Sequence, residues 1–132
     1  MDEPGSTILL IGDNEEKSKA TVQKIDNDAY CIRVVNANID INTSIEADLI
    51  IIEVEQTEDE EKALVEKVFE SRRETPIIFL AENKDEKHKK KILSCGATEC
   101  LIKPVSKEEL LNVLDEILNL NKWYKEVNSD GN

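Results

Sequence analysis

Five short apolar runs, separated by longer charged stretches, constrain the fold of this chain more than any other feature. The five runs cover residues 7–11, 32–35, 49–54, 77–80 and 99–102, and four of the five are rich in Ile or Val. Apolar residues within the runs are continuous rather than alternating, which indicates strands buried on both faces. Such strands occur in parallel sheets covered by helices on each side. The pattern therefore predicts an α/β fold, a (βα)5 doubly wound five-stranded parallel sheet.

Helical periodicity fills most of the stretches between the runs. Residues 14–28 place Ser18, Val22, Ile25 and Ala29 on one face, and residues 58–72 carry a similar apolar stripe. Capping residues three positions before a glutamate, at Asn83 and Ser106, predict two further helix starts, and Gly96 predicts the end of the first of these. The last helix has an apolar arc of about half its circumference, so one edge is predicted to lie outside the core. Residues 36–47 lack a stripe and predict a poor helix.

Length and charge bound the class of protein. A chain of 132 residues predicts one domain over 1–120, with 121–132 as a helical extension or tail. A net charge of −12 disfavours nucleic-acid binding, which depends on Lys and Arg. No apolar run approaches the roughly 20 residues of a membrane span, and no secretory signal begins the chain. We therefore expect a cytoplasmic protein that does not bind membranes. Three cysteines without C-x-x-C spacing predict neither disulfides nor a zinc site.

Functional residues in a doubly wound fold lie beyond the carboxyl ends of the strands. In this chain those ends carry the charged or small residues Gly12, Asp13, Glu53, Ala81, Glu82 and Lys103. We therefore expect these side chains to meet at one edge of the sheet.

Four segments around these ends resemble the receiver domains of two-component response regulators. They are ILLIGDN at 8–14, ADLIIIE at 47–53, TPIIFLA at 75–81, and CGA followed by LIKPV at 95–105. Their order matches the family, and the resemblance covers residues 7–120. It implies a flavodoxin-like three-layer sandwich that acts in signal transduction through a protein partner, such as a histidine kinase or another signalling protein.

The departures from the family concern its phosphorylation chemistry. The resemblance implies a strand-end Asp that accepts a phosphoryl group, with Mg²⁺ held by that Asp, by a preceding acidic pair and by a backbone carbonyl. Glu53 stands at the acceptor position, and its extra methylene displaces the carboxylate by more than ~1 Å, which can cost on the order of 10²-fold in rate. Efficient phosphorylation is therefore not expected.

Other positions of the pocket are also altered. Gly12 stands where the first acid of the pair is usual, so only Asp13 remains. Ala81 lacks the hydroxyl that contacts the phosphoryl group, and Cys100 stands at the position of the aromatic switch. Only the lysine, Lys103, is intact. The resemblance thus implies a receiver without its usual coupled switch.

Charge along the chain suggests where a partner binds. The helix near residues 84–95 carries five lysines with His88, a local excess of positive charge that is either a solvated face or a docking patch. His88 lies at helical spacing with Ile92 and Cys95, which predicts partly buried packing. The resemblance implies a partner or homodimer face formed by the fourth and fifth helices of the family, here including Lys87, Lys90, Lys91, Leu111 and Leu118. The acidic residues 58–61 either favour a helix start or repel a phosphoryl donor.

Three hypotheses follow. The leading one is a degenerate receiver without enzymatic activity or required cofactor, in which Glu53 and Lys103 form a permanent ion pair that mimics phosphorylation or is an inert relic. A second is a working phosphorelay regulator with a weak Mg²⁺ site formed by Asp13, Glu53 and the backbone carbonyl of Glu55. A third is a small flavodoxin-like cofactor-binding protein, although no Gly-rich phosphate loop follows the first strand.

Overall fold

The fold is a single parallel sheet between two layers of helices. The computed structural model describes residues 5–26, 28–37, 46–82 and 85–130, and of 120–130 only the backbone. Five strands lie in the described residues: β1 Ser6–Gly12, β2 Tyr30–Asn36, β3 Leu49–Glu53, β4 Ile77–Ala81 and β5 Glu99–Ile102. They pair in parallel in the order β2-β1-β3-β4-β5. This topology confirms the predicted doubly wound, flavodoxin-like fold.

Helices cover both faces of this sheet. Those in the described residues are α1 Glu15–Ile25, α2 Glu58–Ser71, α3 Glu86–Ser94 and α4 Lys107–Asp130. On one face, α1 and α4 bring Ile25, Leu110 and Leu114 into a buried cluster with the strands. On the other face, α2 and α3 bring Val65, Val68 and Ile92 into a second cluster. Alternate side chains of each central strand enter alternate clusters, which explains why these strands read as continuous apolar runs.

Burial follows the position of each strand in the sheet. Every residue of the central strands β3 and β4 is buried, as the continuous runs predicted. The prediction of burial on both faces is wrong for β2, whose residues are all exposed or only partly buried and where Val34 is 51% exposed. β2 is an edge strand and pairs with one neighbour, β1. Its other edge is not paired within the sheet, and some of its side chains are exposed.

Local sequence sets the helix ends. Asn14 caps α1 by accepting from the Lys17 N–H, and Thr57 forms a capping box with Glu60 at α2. Ser106 accepts from the Glu109 N–H at 3.0 Å, as predicted for the last helix. At α3 the cap is Asp85, which accepts from the Lys87 N–H, while the predicted cap Asn83 lies outside the described residues.

The end of α3 also confirms its prediction. Gly96 follows the helix with a φ of 126°, a conformation that L side chains rarely adopt, and its N–H donates to the Leu93 carbonyl. A Cβ at Gly96 would lie 2.4 Å from the ring of Phe69 on α2. Glycine is therefore required here both by the backbone and by the close packing of α3 on α2.

The buried face of α1 differs from the predicted stripe. Ser18, Thr21 and Ile25 are buried, while Val22 is only partly so. Ala29 is exposed because the helix ends at Ile25 and the chain turns before β2. The buried stripe therefore contains two hydroxyl groups near the sheet.

Some predictions fall on residues that the structure does not describe. These are most of the poor helix (38–45), Lys84, and the side chains of Trp123 and Tyr124. The backbone of α4 is helical up to Asp130. Among the described residues, no helix combines the length and apolarity that crossing a bilayer requires.

Candidate functional site

The candidate site lies at the carboxyl edge of the central strands. Gly12 ends β1 and pairs in register with Glu53 at the end of β3, where the strand order reverses around β1. Glu82 and Lys103 follow the last residues of β4 and β5. The topology thus collects the strand ends that the sequence identified.

Glu53 and Lys103 form the ion pair that the sequence predicted. Lys103 Nζ lies 2.5 Å from Glu53 Oε2, and the two side chains are 19% and 4% exposed. The other carboxylate oxygen of Glu53 accepts a hydrogen bond from the Thr21 hydroxyl at 2.6 Å. Both oxygens of the carboxylate that replaces the phosphoryl acceptor are therefore engaged within the protein. Charge-assisted hydrogen bonds of this kind are shorter and stronger than neutral ones.

Thr21 was not identified from the sequence. It is buried on α1, directly over the end of β3, so its hydroxyl reaches Glu53 from the helix layer. The sequence did contain one indication of this contact, namely a threonine on the face of α1 that packs on the sheet. Buried hydroxyl groups require hydrogen-bond partners, so a partner for Thr21 could have been expected. The identity of that partner depends on the rotation of α1 over the sheet.

Gly12 is explained by the same helix. A Cβ at this position would lie 2.3 Å from Ser18 Oγ on α1 and 3.4 Å from the Glu53 carbonyl oxygen. Ser18 is itself buried. A side chain at position 12 therefore requires the Ser18 hydroxyl to rotate away, whereas the Ser18 Cβ, at 3.7 Å, stays at ordinary contact distance.

A second charged group lies beside the first. The Lys17 ammonium contacts the carboxylates of Glu55 and Glu82, the latter at 3.0 Å. Glu82 also lies 4.0 Å from Lys103 Nζ, so the two lysines share one carboxylate. The Asp13 carboxylate accepts from the Glu55 N–H at 3.0 Å, which holds the loop after β3 against the loop after β1.

These residues do not fit a divalent cation. Mg²⁺ requires several oxygen ligands in near-octahedral geometry. Of the predicted ligands, the Asp13 carboxylate accepts from a backbone N–H, and the Glu53 carboxylate is engaged by Thr21 and Lys103. The third predicted ligand was the backbone carbonyl of Glu55, and the Lys17 ammonium lies against the side chain of that residue. Within 5–26, 28–37, 46–82 and 85–130, no group of three or more His, Cys, Asp or Glu side chains is arranged to hold a metal ion.

Two further pocket positions lie in the core on the α2 and α3 side. Ala81 is 2% exposed, and its carbonyl accepts from the Lys103 N–H at 2.8 Å. Cys100 is fully buried in the same cluster, and burial raises the pKa of its thiol to about 11. The hydroxyl that reaches Glu53 comes from Thr21 rather than from the end of β4.

His88 has a specific partner that the sequence did not reveal. Its Nε2 lies 3.0 Å from Glu61 Oε1 on α2, and the His88 side chain is 4% exposed, so it is more deeply buried than predicted. The second oxygen of Glu61 accepts from the Gln56 N–H at 3.4 Å. Burial raises the pKa of Glu61, and the nearby Gln56 N–H and His88 oppose that shift. Glu61 is therefore a link between α2, α3 and the loop after Glu53, in addition to its place in an acidic helix start.

His88 Nδ1 is buried and has no hydrogen-bond partner in the described residues. The other ring nitrogen, Nε2, makes the contact with Glu61.

The predicted partner face is spread over α3 and α4. Lys87 and Lys90 are exposed, and neither forms an ion pair within the described residues, whereas Lys91 lies 2.8 Å from Glu58 on α2. Leu111 and Leu118 on α4 are partly buried against the cluster below them. β5 is an edge strand, and α3 and α4 pack on opposite faces of the sheet, so the lysines and the leucines lie in different helix layers.

Comparison with known proteins decides the family. A sequence model described as the response regulator receiver domain matches residues 8–115. This chain belongs to the response regulator receiver domain family. A search of curated proteins found no match.

Solved structures show the same fold. The CheY-like receiver domain protein from Methanospirillum hungatei JF-1 has a TM-score of 0.76 at 19% identity, over 91% of this chain and 98% of that one. The signal receiver domain of a histidine kinase from Syntrophus aciditrophicus has a TM-score of 0.71 at 22% identity, over 87% and 91%. NtrX from Brucella abortus has a TM-score of 0.75 at 14% identity over 95% of this chain, which spans 29% of NtrX.

Family membership establishes the class of function. The chain is a receiver domain of two-component signalling. This assignment favours the two receiver hypotheses over the cofactor-binding alternative.

Proposed function

We propose that this receiver domain is degenerate and signals by binding a protein partner, without efficient phosphorylation and without enzymatic activity. The observation that carries the proposal is the state of Glu53. Both of its oxygens are engaged, by Thr21 at 2.6 Å and by Lys103 at 2.5 Å. An incoming phosphoryl group would have to displace these partners from a side chain that is 4% exposed.

The ion pair supports one permanent signalling state. In the family, by resemblance, the lysine contacts the phosphoryl group, and in this receiver Lys103 contacts the Glu53 carboxylate directly. A carboxylate carries one negative charge, whereas a phosphoryl group carries nearly two and offers more acceptor oxygens. The pair therefore imitates a phosphorylated site only in part.

The cytoplasmic location remains a prediction.

The partner binds, in this proposal, at the side of the molecule formed by α3, β5 and α4. Lys87 and Lys90 are exposed on a protein whose net charge is −12, so they form a local positive patch. Leu111 and Leu118 add partly exposed apolar surface on α4, in the other helix layer. Charge complementarity selects a partner with an acidic surface. A second copy of this acidic chain is the alternative occupant.

Intact-mass spectrometry tests the phosphorylation part of the proposal. Incubation with acetyl phosphate and Mg²⁺ should leave the mass unchanged, while a catalytically complete receiver domain treated in parallel gains one phosphoryl group. A phosphoryl adduct that the Glu53→Gln variant no longer forms would overturn the proposal in favour of a working phosphorelay regulator.

A matched charge-reversal experiment tests the partner face. The Lys87→Glu, Lys90→Glu double variant should lose a partner captured from cell lysate by the wild-type domain. The Lys19→Glu, Lys67→Glu variant changes the net charge equally at exposed lysines of α1 and α2, and it should retain that partner. Equal capture by both variants would exclude α3 as the binding surface. Sedimentation of the domain alone detects a homodimer.

A further inference from the structure

Lys17 lies at the edge of the site that does not fit a divalent cation. Its ammonium contacts Glu55, from the loop after β3, and Glu82, from the loop after β4. These two carboxylates lie 27 positions apart in the sequence and meet on this side chain. Lys17 thus links the carboxyl ends of two neighbouring strands to α1.

The position of Lys17 in its helix needs such partners. Asn14 is the N-cap and accepts from the Lys17 N–H at 3.0 Å, so Lys17 belongs to the first turn of α1. The amino end of a helix carries partial positive charge and favours acidic side chains, as Glu15 and Glu16 illustrate in the same turn. A lysine there is electrostatically unfavourable unless nearby anions compensate. Glu55 and Glu82 supply those anions.

The charges of the whole corner lead to the same conclusion. Its carboxylates come from Asp13, Glu53, Glu55 and Glu82, and its ammonium groups come from Lys17 and Lys103. The two lysines share Glu82, which lies 3.0 Å from one and 4.0 Å from the other. Two resident cations therefore reduce the negative charge of a site that would otherwise attract Mg²⁺.

We propose that Lys17 takes the place of a metal ion in this receiver, occupying the carboxylate cluster at the strand ends and excluding divalent metal ions. The proposal rests on the degenerate site described above and adds the residue that replaces its metal. It assigns to Lys17 an electrostatic role that the sequence did not reveal. Among the described residues, removing the Lys17 ammonium leaves Lys103 as the cation that contacts this cluster.

Binding of Mn²⁺ tests the proposal, followed by the electron paramagnetic resonance signal of the free ion. Lys17→Met should bind Mn²⁺ at least about tenfold more tightly than the wild type, because a +1 charge beside the ligands has been removed. The matched control is Lys19→Met, since Lys19 is an exposed lysine on the same helix. In the described residues its ammonium pairs with one carboxylate, that of Glu15, at 3.7 Å. It should bind Mn²⁺ no better than the wild type.

A second variant shows where a gained ion binds. Adding Glu82→Gln to Lys17→Met should abolish the gain, because it removes a carboxylate that Lys17 released. If Lys17→Met does not fold without metal, adding MnCl₂ should restore its helical circular dichroism, which would show that the variant binds Mn²⁺. Failure to recover the signal would overturn the proposal.

The outcomes separate this inference from the proposed function. Equal Mn²⁺ affinity of Lys17→Met, Lys19→Met and wild type would overturn the role of Lys17, as would tight binding to the wild type. A phosphoryl adduct on Glu53 would instead overturn the degenerate function. Either result is possible without the other, because one reports cation affinity and the other reports covalent chemistry.

Discussion

Replacement of Lys103 by methionine is the most direct perturbation of the Glu53 ion pair. Methionine keeps a long unbranched side chain but removes the ammonium group that lies 2.5 Å from Glu53 Oε2. The carboxylate then stays in a site where its side chain is 4% exposed, with the Thr21 hydroxyl as its remaining partner. We expect the folded state to be destabilised by this uncompensated charge.

The magnitude follows from the burial of the pair. Removing one partner of a buried ion pair costs roughly 3–5 kcal/mol. Thr21 still donates to Glu53, and Lys103 is 19% exposed, so we expect a loss of about 2–3 kcal/mol, at or below the lower limit of that range. For a domain of this size each kcal/mol lowers Tm by about 4 °C, which predicts a fall of about 8–12 °C.

Urea unfolding followed by circular dichroism measures the effect, with a double-mutant cycle to isolate the pair. Glu53→Gln combined with Lys103→Met removes both charges and should recover at least about half of the loss. The control Lys19→Met removes a surface ion pair whose side chains are 74% and 85% exposed, so it should change stability by less than about 0.5 kcal/mol. A Lys103→Met variant within about 0.5 kcal/mol of wild type would refute the buried-pair reasoning.

Two further predictions concern titratable groups in the core. Burial raises the pKa of Glu61 above its ordinary 4.5, so the folded protein binds a proton on Glu61 more tightly than the unfolded chain does. This proton binding stabilises the folded state at low pH, and the stabilisation is lost as the pH rises through the raised pKa. Glu61→Gln should remove this decrease in the free energy of urea unfolding as the pH rises above 4.5, and parallel curves for the variant and the wild type would contradict the assignment. Burial raises the pKa of Cys100 to about 11, whereas Cys31 is exposed, so iodoacetamide at pH 8 should modify Cys31 in the native protein and Cys100 only after unfolding. Rapid native alkylation of Cys100, located by peptide mass spectrometry, would show that the core is open there.

The strand ends illustrate how far sequence reasoning reached into the site. Topology alone brought Glu53 and Lys103 to one edge, because parallel strands deliver their carboxyl ends together. The resemblance to receiver domains then implied that these two residues pair. The role of Thr21 was missed because its contact requires the rotation of α1 about its own axis. Lys17 was missed for the same reason, since its carboxylate partners come from two loops distant in sequence.

The pair formed by His88 and Glu61 shows the same limit in the other helix layer. Helical spacing correctly placed His88 on the buried side of α3, together with Ile92. The acidic run that contains Glu61 was interpreted only as a helix start or a repulsive surface. Which of its acids enters the core depends on how α2 packs against α3, where Gly96 meets Phe69.

By itself the sequence determined the order and type of the elements, the parallel sheet and the edge where the charged residues meet. These follow from short-range patterns, because continuous apolar runs and helix caps are local properties of the chain. Only the tertiary structure decided which charges pair there, that α1 supplies both Thr21 and Lys17, and that Ser18 fills the space beside Gly12. Helix rotation is set by core packing summed over many side chains from distant segments, so no single stretch of sequence encodes it.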